Sequence, residues 1–237
     1  MSLKKTVTAH LPHSKLSQKI WNEDEEMLPN FREALLKIAD EFLEYLVVPV
    51  DVIDITITGS YANYNYTPFS DIDLHIVIDF STVDDNLDLV EEFFSAKKTF
   101  WNNRHDIELK DIEVEIYPQK HDEDHASTGV YSIQDNKWLV KPKKFKNELD
   151  VDNVTKKSEK LSKEIRVALK QARERNITRP LDKMIKKLKK MRQSGLEKAG
   201  ELSDENIMYK VIRSQNLLQD LFDTKDKILD KDLSTIR

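Results

Sequence analysis

Apolar positions along the chain switch between two periods. From Pro29 onward, Phe31, Leu35, Ile38, Phe42 and Leu46 recur at helical spacing and predict an amphipathic helix. Then the period becomes two: Ile53, Ile55 and Ile57 alternate with Asp54, Thr56 and Thr58, a β-branched run that predicts a strand ending at Gly59. After the polar-aromatic stretch YANYNYTPFS, Ile72, Leu74 and Ile76 alternate with Asp71, Asp73 and His75 and predict a second strand. Leu87, Val90, Phe93, Phe94 and Phe100 mark a crossover helix over about 84–103. A third strand follows, with Ile112, Val114 and Ile116 on one face and Glu113 and Glu115 on the other. GVYSI and KWLV, joined by QDN, read as a β-hairpin. Beyond KPKKFK the helical period returns and predicts three helices, over 153–175, over 180–199 with Pro180 near its start, and over 204–222 with Ser203 as N-cap.

The pattern therefore predicts an α+β fold, a mixed β-sheet core flanked by helices and followed by an all-helical C-terminal part. Residues 1–20 show no period and are expected as an N-terminal arm, with a core domain over 21–145 and a helical domain over 146–237. The charge changes at the same place: up to Val140 there are 12 Lys and Arg against 27 Asp and Glu, a net −15, and after it 26 against 16, a net +10. An acidic part beside a basic one fits a handler of phosphates or nucleic acid, although solvated helix faces give the same count. With no Cys among 237 residues, disulfide frameworks, thiolate metal sites and cysteine nucleophiles are excluded, and a reducing compartment, the cytoplasm, is expected. No apolar run approaches the ~18 residues of a membrane span, and MSLKKTVTAHLPHSK has no apolar stretch behind its lysines, so no membrane partner and no leader are expected.

The candidate chemistry lies between Gly59 and Pro118. Asp71 and Asp73, at i and i+2 on a strand, point to one face ~7 Å apart by the strand rise. Paired carboxylates of this kind suit hard divalent ions, and two such ions ~3.5–4 Å apart stabilise the attacking and leaving oxygens of phosphoryl transfer. Gly59 and Ser60 supply a tight turn, backbone N–H groups and a hydroxyl. With the start of a short helix expected within 61–70, they make an anion cradle for a triphosphate, to which Tyr61 and Ser70 are adjacent. A third acid, Glu113 or Glu115, can hold a metal nearer the attacking hydroxyl and accept its proton; both project to the same face, so periodicity does not separate them. His75 shares the face of Asp71 and Asp73 and lines the same region.

A strand ending in GS, ten residues, SDIDL on the next strand and a further acid in VEIYP together resemble the nucleotidyltransferase superfamily that includes DNA polymerase beta, the minimal nucleotidyltransferases, 2′-5′-oligoadenylate synthetases and bacterial cyclic-dinucleotide synthases. The resemblance covers roughly residues 50–120. The rest is similar only in outline to nucleotidyltransferase-like proteins, some from bacteriophage genomes. The resemblance implies that Asp71, Asp73 and Glu115 are catalytic and hold two Mg²⁺ ions, or Mn²⁺ in their place. It also implies that Gly59 and Ser60 bind a nucleoside triphosphate such as ATP. The family's third acid is more often Asp, and its frequent basic residue beside the cradle has no counterpart here, since no Lys or Arg lies between Gly59 and Asp79. Phosphate-facing charge is then expected from Lys137, Lys141, Lys143, Lys144 or the helical part.

The implied activity is Mg²⁺-dependent transfer of NMP from an NTP to a hydroxyl of a protein, an RNA or a small molecule, with release of pyrophosphate. Two alternatives stand beside it: a catalytically silent member that binds RNA or a protein partner, and an oligonucleotide or cyclic-dinucleotide synthase. Lys183, Lys186, Lys187 and Lys190 share one helix face beside the stripe Met184, Leu188 and Met191, which reads either as an RNA-facing surface or as an ordinary solvated face. Tyr61, Tyr64 and Tyr66 read either as a nucleobase platform or as core. His121 and His125 fall in a charged loop without the regular spacing of a metal pair, and His10 and His13 carry no pattern.

Overall fold

A five-stranded mixed sheet is built from β1 (Val52–Thr58), β2 (Ile72–Ile78), β3 (Val114–Lys120), β4 (Val130–Ser132) and β5 (Lys137–Val140), in the order β3-β2-β1-β4-β5. The computed structural model describes residues 2–123, 127–144 and 149–234. Two compact units emerge: Pro12–Lys146 holds the sheet, and Met1–Leu11 with Asn147–Arg237 forms a helical unit. The expected domain boundary at 145/146, like His125, lies outside the described residues.

In the sheet unit β1 and β2 are antiparallel, as are β1 and β4, and β4 and β5. β2 and β3 are parallel, joined by α3 (Leu87–Arg104), because a parallel pair needs a crossover. Alternation sorts the side chains: Ile55, Ile57, Ile72, Leu74, Ile76, Val114 and Ile116 are buried on one face and pack with α2 (Pro29–Leu46) and α3 in a single core. Phe31, Leu35, Ala39, Phe42 and Leu46 form the buried stripe of α2, and Phe42 meets Trp101 of α3 edge-on at 5.4 Å. Each such apolar side chain, fully buried, contributes ~1.5–3 kcal/mol. α3 buries Val90, Phe94 and Trp101, whereas Leu87 and Phe100 of the expected stripe are exposed. β3 is an edge strand, and Asn102 covers it by donating to the Ile116 carbonyl and accepting from its N–H, both at 3.1 Å.

The first twenty residues do not trail as one arm. Leu16 and Ile20, with Trp21, are buried in the sheet unit, where Trp21 stacks on Trp138 at 4.6 Å and donates to the Tyr61 carbonyl at 2.8 Å. Residues of α1 (Leu3–Thr8) belong to the helical unit, with Val7 fully buried in its core. Single anchoring side chains carry no period, which is why the pattern did not reveal them.

The helical unit contains α4 (Val151–Arg175), α5 (Arg179–Ala199), α6 (Asp204–Ser214) and α7 (Leu217–Ser234). Asp150 and Ser203 cap α4 and α6 by accepting from the Asn153 and Asn206 amides. The single helix expected over 204–222 is two, because Asn216 sits in the left-handed region (φ 58°) and ends the run. On α5, Leu181, Ile185 and Leu188 are buried, Met184 and Met191 are half-buried, and Lys183, Lys186, Lys187 and Lys190 are exposed.

Candidate active site

The second face of the sheet is polar, and strand register arranges it in rows. Thr58 of β1 lies opposite Asp73 of β2, and Asp73 lies opposite Glu115 of β3; Thr56, His75 and Tyr117 form the next row. Neighbouring strands are ~4.8 Å apart, so Asp73 and Glu115 are lateral neighbours on one face. Asp71 precedes β2 by one residue on the same alternation, and Asp71, Asp73 and Glu115 are all half-buried. Two of these acids act on Glu113. Glu113 has its carboxyl pushed upward, first by burial and then by Glu115 and Asp71. The structure thus brings Asp71, Asp73 and Glu115 to one corner, with the exposed Glu113 beside them.

Gly59 turns the chain directly over that corner. Its φ is +69°, and a Cβ placed on it would lie 1.7 Å from Asp73 Oδ2, so only glycine leaves room for the carboxylate. Ser60 follows, half-buried. The helix expected within 61–70 does not form; the segment is a series of turns, and no helix start contributes to the cradle. Asn63 explains the difference. Buried to 4% exposure, it donates from Nδ2 to the Gly59 carbonyl at 2.6 Å and to Ser127 Oγ at 3.0 Å, and its Oδ1 accepts from Thr128 Oγ1 at 2.7 Å. The first bond closes the loop on Gly59, and the other two tie it to the segment leading into β4.

Tyr61 and Tyr64 are not a nucleobase platform: at 5% and 3% exposure their rings fill the core, and the half-buried Tyr66 is stacked on His13 at 4.0 Å. Of the two open readings, the Tyr61 and Tyr64 rings are core. Ser70 Oγ accepts from the Thr67 N–H at 3.0 Å and pairs with Thr67 Oγ1 at 3.2 Å, so its hydroxyl closes a turn beside the site. Among the candidate basic residues, Lys137 is paired with Asp135 at 2.8 Å and Lys144 stands over the Tyr64 ring at 5.7 Å, while Lys141 and Lys143 are exposed.

Around the acids lies a network that periodicity did not mark. His75 Nδ1 contacts Gln119 Oε1 at 2.7 Å and Nε2 contacts Thr58 Oγ1 at 3.0 Å. Because Oε1 only accepts, Nδ1 carries the proton, and Nε2 is left to pair with the Thr58 hydroxyl. The Tyr117 hydroxyl donates to Glu115 Oε2, and its ring stacks with His75 at 5.3 Å. Burial, the Glu115 hydrogen bond and the charges of Glu115, Asp73 and Asp71 push the Tyr117 phenol far above its usual range, so it remains a neutral donor. Lys98 of α3 reaches over the β3 edge to 4.4 Å from the Tyr117 ring centroid. In the sequence, Tyr117 and His75 are legible only as same-face neighbours of the acids, and Lys98 lies 25 residues after Asp73 and 17 before Glu115 with no signal of its own.

The donor set consists of carboxylate oxygens, which suits Mg²⁺ or Mn²⁺ over softer ions, and the space kept by Gly59 holds an Asp73 oxygen. Among the described residues no three His, Asp or Glu side chains are gathered round one point. Asp71, Asp73 and Glu115 instead form an open row of acids along one face of the sheet.

A mixed sheet with helices on one face and an acidic row under a Gly-Ser turn on the other defines a nucleotidyltransferase core. The chain belongs to the nucleotidyltransferase domain family, whose model, described as a nucleotidyltransferase domain, matches residues 35–194, more than half of the chain. That match begins in α2 and continues into α5, well past the 50–120 stretch in which the motif is legible. No curated protein matches the chain. Among the described residues no helix is long and apolar enough to cross a membrane.

Proposed function

We propose that this chain transfers a nucleoside monophosphate from an NTP to a hydroxyl acceptor, with Asp71, Asp73 and Glu115 holding Mg²⁺. When bound, that ion supplies Lewis-acid neutralisation of phosphate charge. Gly59, having no side chain, lets the triphosphate approach the turn, and Ser60 offers its hydroxyl to a phosphate oxygen. Glu115, with Oε2 engaged by Tyr117, has Oε1 to accept the proton of the acceptor hydroxyl. The acceptor oxygen forms a bond to the α-phosphorus, the bond from that phosphorus to the β-bridging oxygen breaks, and pyrophosphate leaves. Glu115 is preferred to Glu113 because it stands in register with Asp73 and is held by Tyr117, whereas Glu113 is exposed.

The observation that supports this reading most is the fit of Asp73 Oδ2 beneath Gly59, which joins turn and acid into one unit. Incubation with α-labelled NTPs and Mg²⁺ tests it: label should pass to an acceptor and pyrophosphate should appear, and Asp71→Ala/Asp73→Ala should abolish both. Equal behaviour of wild type and the double variant would refute the reading. Chromatography of the products separates an oligonucleotide or cyclic dinucleotide from NMP attached to protein, RNA or a small molecule.

A second reading, a silent member that binds RNA, is favoured by one observation. Lys183, Lys186 and Lys190 stand exposed along α5, while the nearby Lys187 is paired with Glu164 at 2.5 Å. It expects salt-sensitive RNA binding that survives loss of both aspartates and weakens on Lys186→Glu/Lys190→Glu.

A further inference from the structure

Several separate contacts converge on Tyr117. Its hydroxyl donates to Glu115 Oε2, its ring lies at 5.3 Å and 19° from His75, and the Lys98 ammonium stands 4.4 Å from its centroid. His75 is itself pinned through both ring nitrogens, by Thr58 on β1 and Gln119 on β3. Thr58 is also the register partner of Asp73. Three strands and α3 thus hold one phenol, and that phenol holds one acid.

Such an arrangement answers a physical difficulty of the acidic row. Three carboxylates side by side repel one another, and a half-buried glutamate with three side-chain torsions has every reason to swing away from the other two. A neutral hydroxyl bonded to one of its oxygens fixes the rotamer and leaves the second oxygen for another ligand. A misplacement of ~1 Å in a reacting constellation can cost ~10²-fold in rate, so a group that sets this rotamer has a large lever.

We propose that Tyr117 is a positioning residue: seated by His75 and Lys98, it presents its hydroxyl to Glu115 and keeps that carboxylate beside Asp73 for a divalent cation. The proposal rests on the metal-holding part of the nucleotidyl-transfer reading. Tyr117 would touch neither nucleotide nor acceptor and would act through Glu115 alone.

The test uses the full chain with Mn²⁺ as probe, free Mn²⁺ being counted by electron paramagnetic resonance, for wild type, Tyr117→Phe, Glu115→Gln and the double variant. Phenylalanine keeps the ring between its neighbours, and urea midpoints check that each variant folds. Tyr117→Phe should weaken Mn²⁺ binding about tenfold, Glu115→Gln at least as much, and the double variant no more than Glu115→Gln. A purely packing role for Tyr117 would not produce that non-additivity. Wild-type affinity in Tyr117→Phe, wild-type affinity in Glu115→Gln, or independent losses that multiply in the double variant would each overturn the proposal. NTP transfer measured on the same samples separates the two readings. Mn²⁺ binding with the expected pattern but no transfer removes the transfer reading and keeps Tyr117 in its role, while a wild type that binds no Mn²⁺ removes both.

Discussion

Substituting Gly59 by alanine probes the joint between the turn and the acidic row. Two costs are calculable. At φ +69° an L-residue pays the left-handed penalty, ~1–2 kcal/mol. The new Cβ would also lie 1.7 Å from Asp73 Oδ2 and 2.8 Å from its Cγ, against ordinary contact at 3.4 Å and beyond, so the carboxylate must move by about 2 Å. Driving a side chain off its rotamer adds ~0.5–1.5 kcal/mol, giving roughly 2–3 kcal/mol in all. With a urea slope of ~2–3 kcal/mol/M the unfolding midpoint should fall by roughly 1 M at unchanged slope. Transfer should fall ~100-fold, because the displaced group belongs to the acidic row. Gly59→Ala/Asp73→Ala provides the control: without the carboxylate only the backbone penalty remains, so the double variant should be more stable than the sum of the single effects by ~1 kcal/mol. A Gly59→Ala protein that unfolds at the wild-type midpoint, or stability losses that simply add, would refute the reasoning.

Three further outcomes are expected. Asn63→Ala removes the buried amide that fixes the Gly59 loop to Ser127 and Thr128; it should cost ~1–3 kcal/mol and raise KM for NTP more than it lowers kcat, as steady-state kinetics with urea melts would show. His10, 4% exposed in the helical unit, has its pKa lowered from 6.5 to about 4 by burial and then by Lys210 and Arg213. Its depressed folded value means a contribution fully present above pH 6.5 and lost as pH falls through 4, up to about 3 kcal/mol, so His10→Phe should flatten the loss of stability between pH 7 and 4 and an unchanged slope would exclude this cause. Phe42→Ala, at a fully buried site against Trp101, should cost ~3–5 kcal/mol in denaturant titrations while the transfer rate of the protein that remains folded holds.

Much of the fold and of the acidic motif was legible before any coordinates, because both rest on local rules. A strand alternates faces whatever it pairs with, so Asp71 and Asp73 had to share a side, as did Glu113 and Glu115. α2, α3 and α5 announced themselves through apolar stripes, and Ser203 sits at a helix start where its oxygen accepts from a free amide, whereas the Asp150 cap of α4 lies three residues before the start the pattern predicted. Where local and long-range demands competed, the sequence was a poorer guide. Residues 61–70 have room for a helix, but Asn63 finds two of its three side-chain partners sixty-odd residues away, and Tyr61 and Tyr64 are drawn into the core. Asn216 ended a helix that its neighbours would have continued, through the tolerance of asparagine for positive φ.

By itself, then, the sequence determined which acids share a face and where the glycine falls, since residue type and a period of two suffice to put carboxylates on one side and a glycine at a strand end. Only the tertiary structure decided how those pieces meet. The antiparallel β1–β2 register sets Thr58 against Asp73, and the parallel β2–β3 register sets Asp73 against Glu115. Register is a property of strand pairs and not of any one segment, so no local pattern encodes it. For the same reason Tyr117 and Lys98 had no meaning along the chain, and His75 had only a face shared with the acids. They acquire one where three strands and a helix converge on a single phenol.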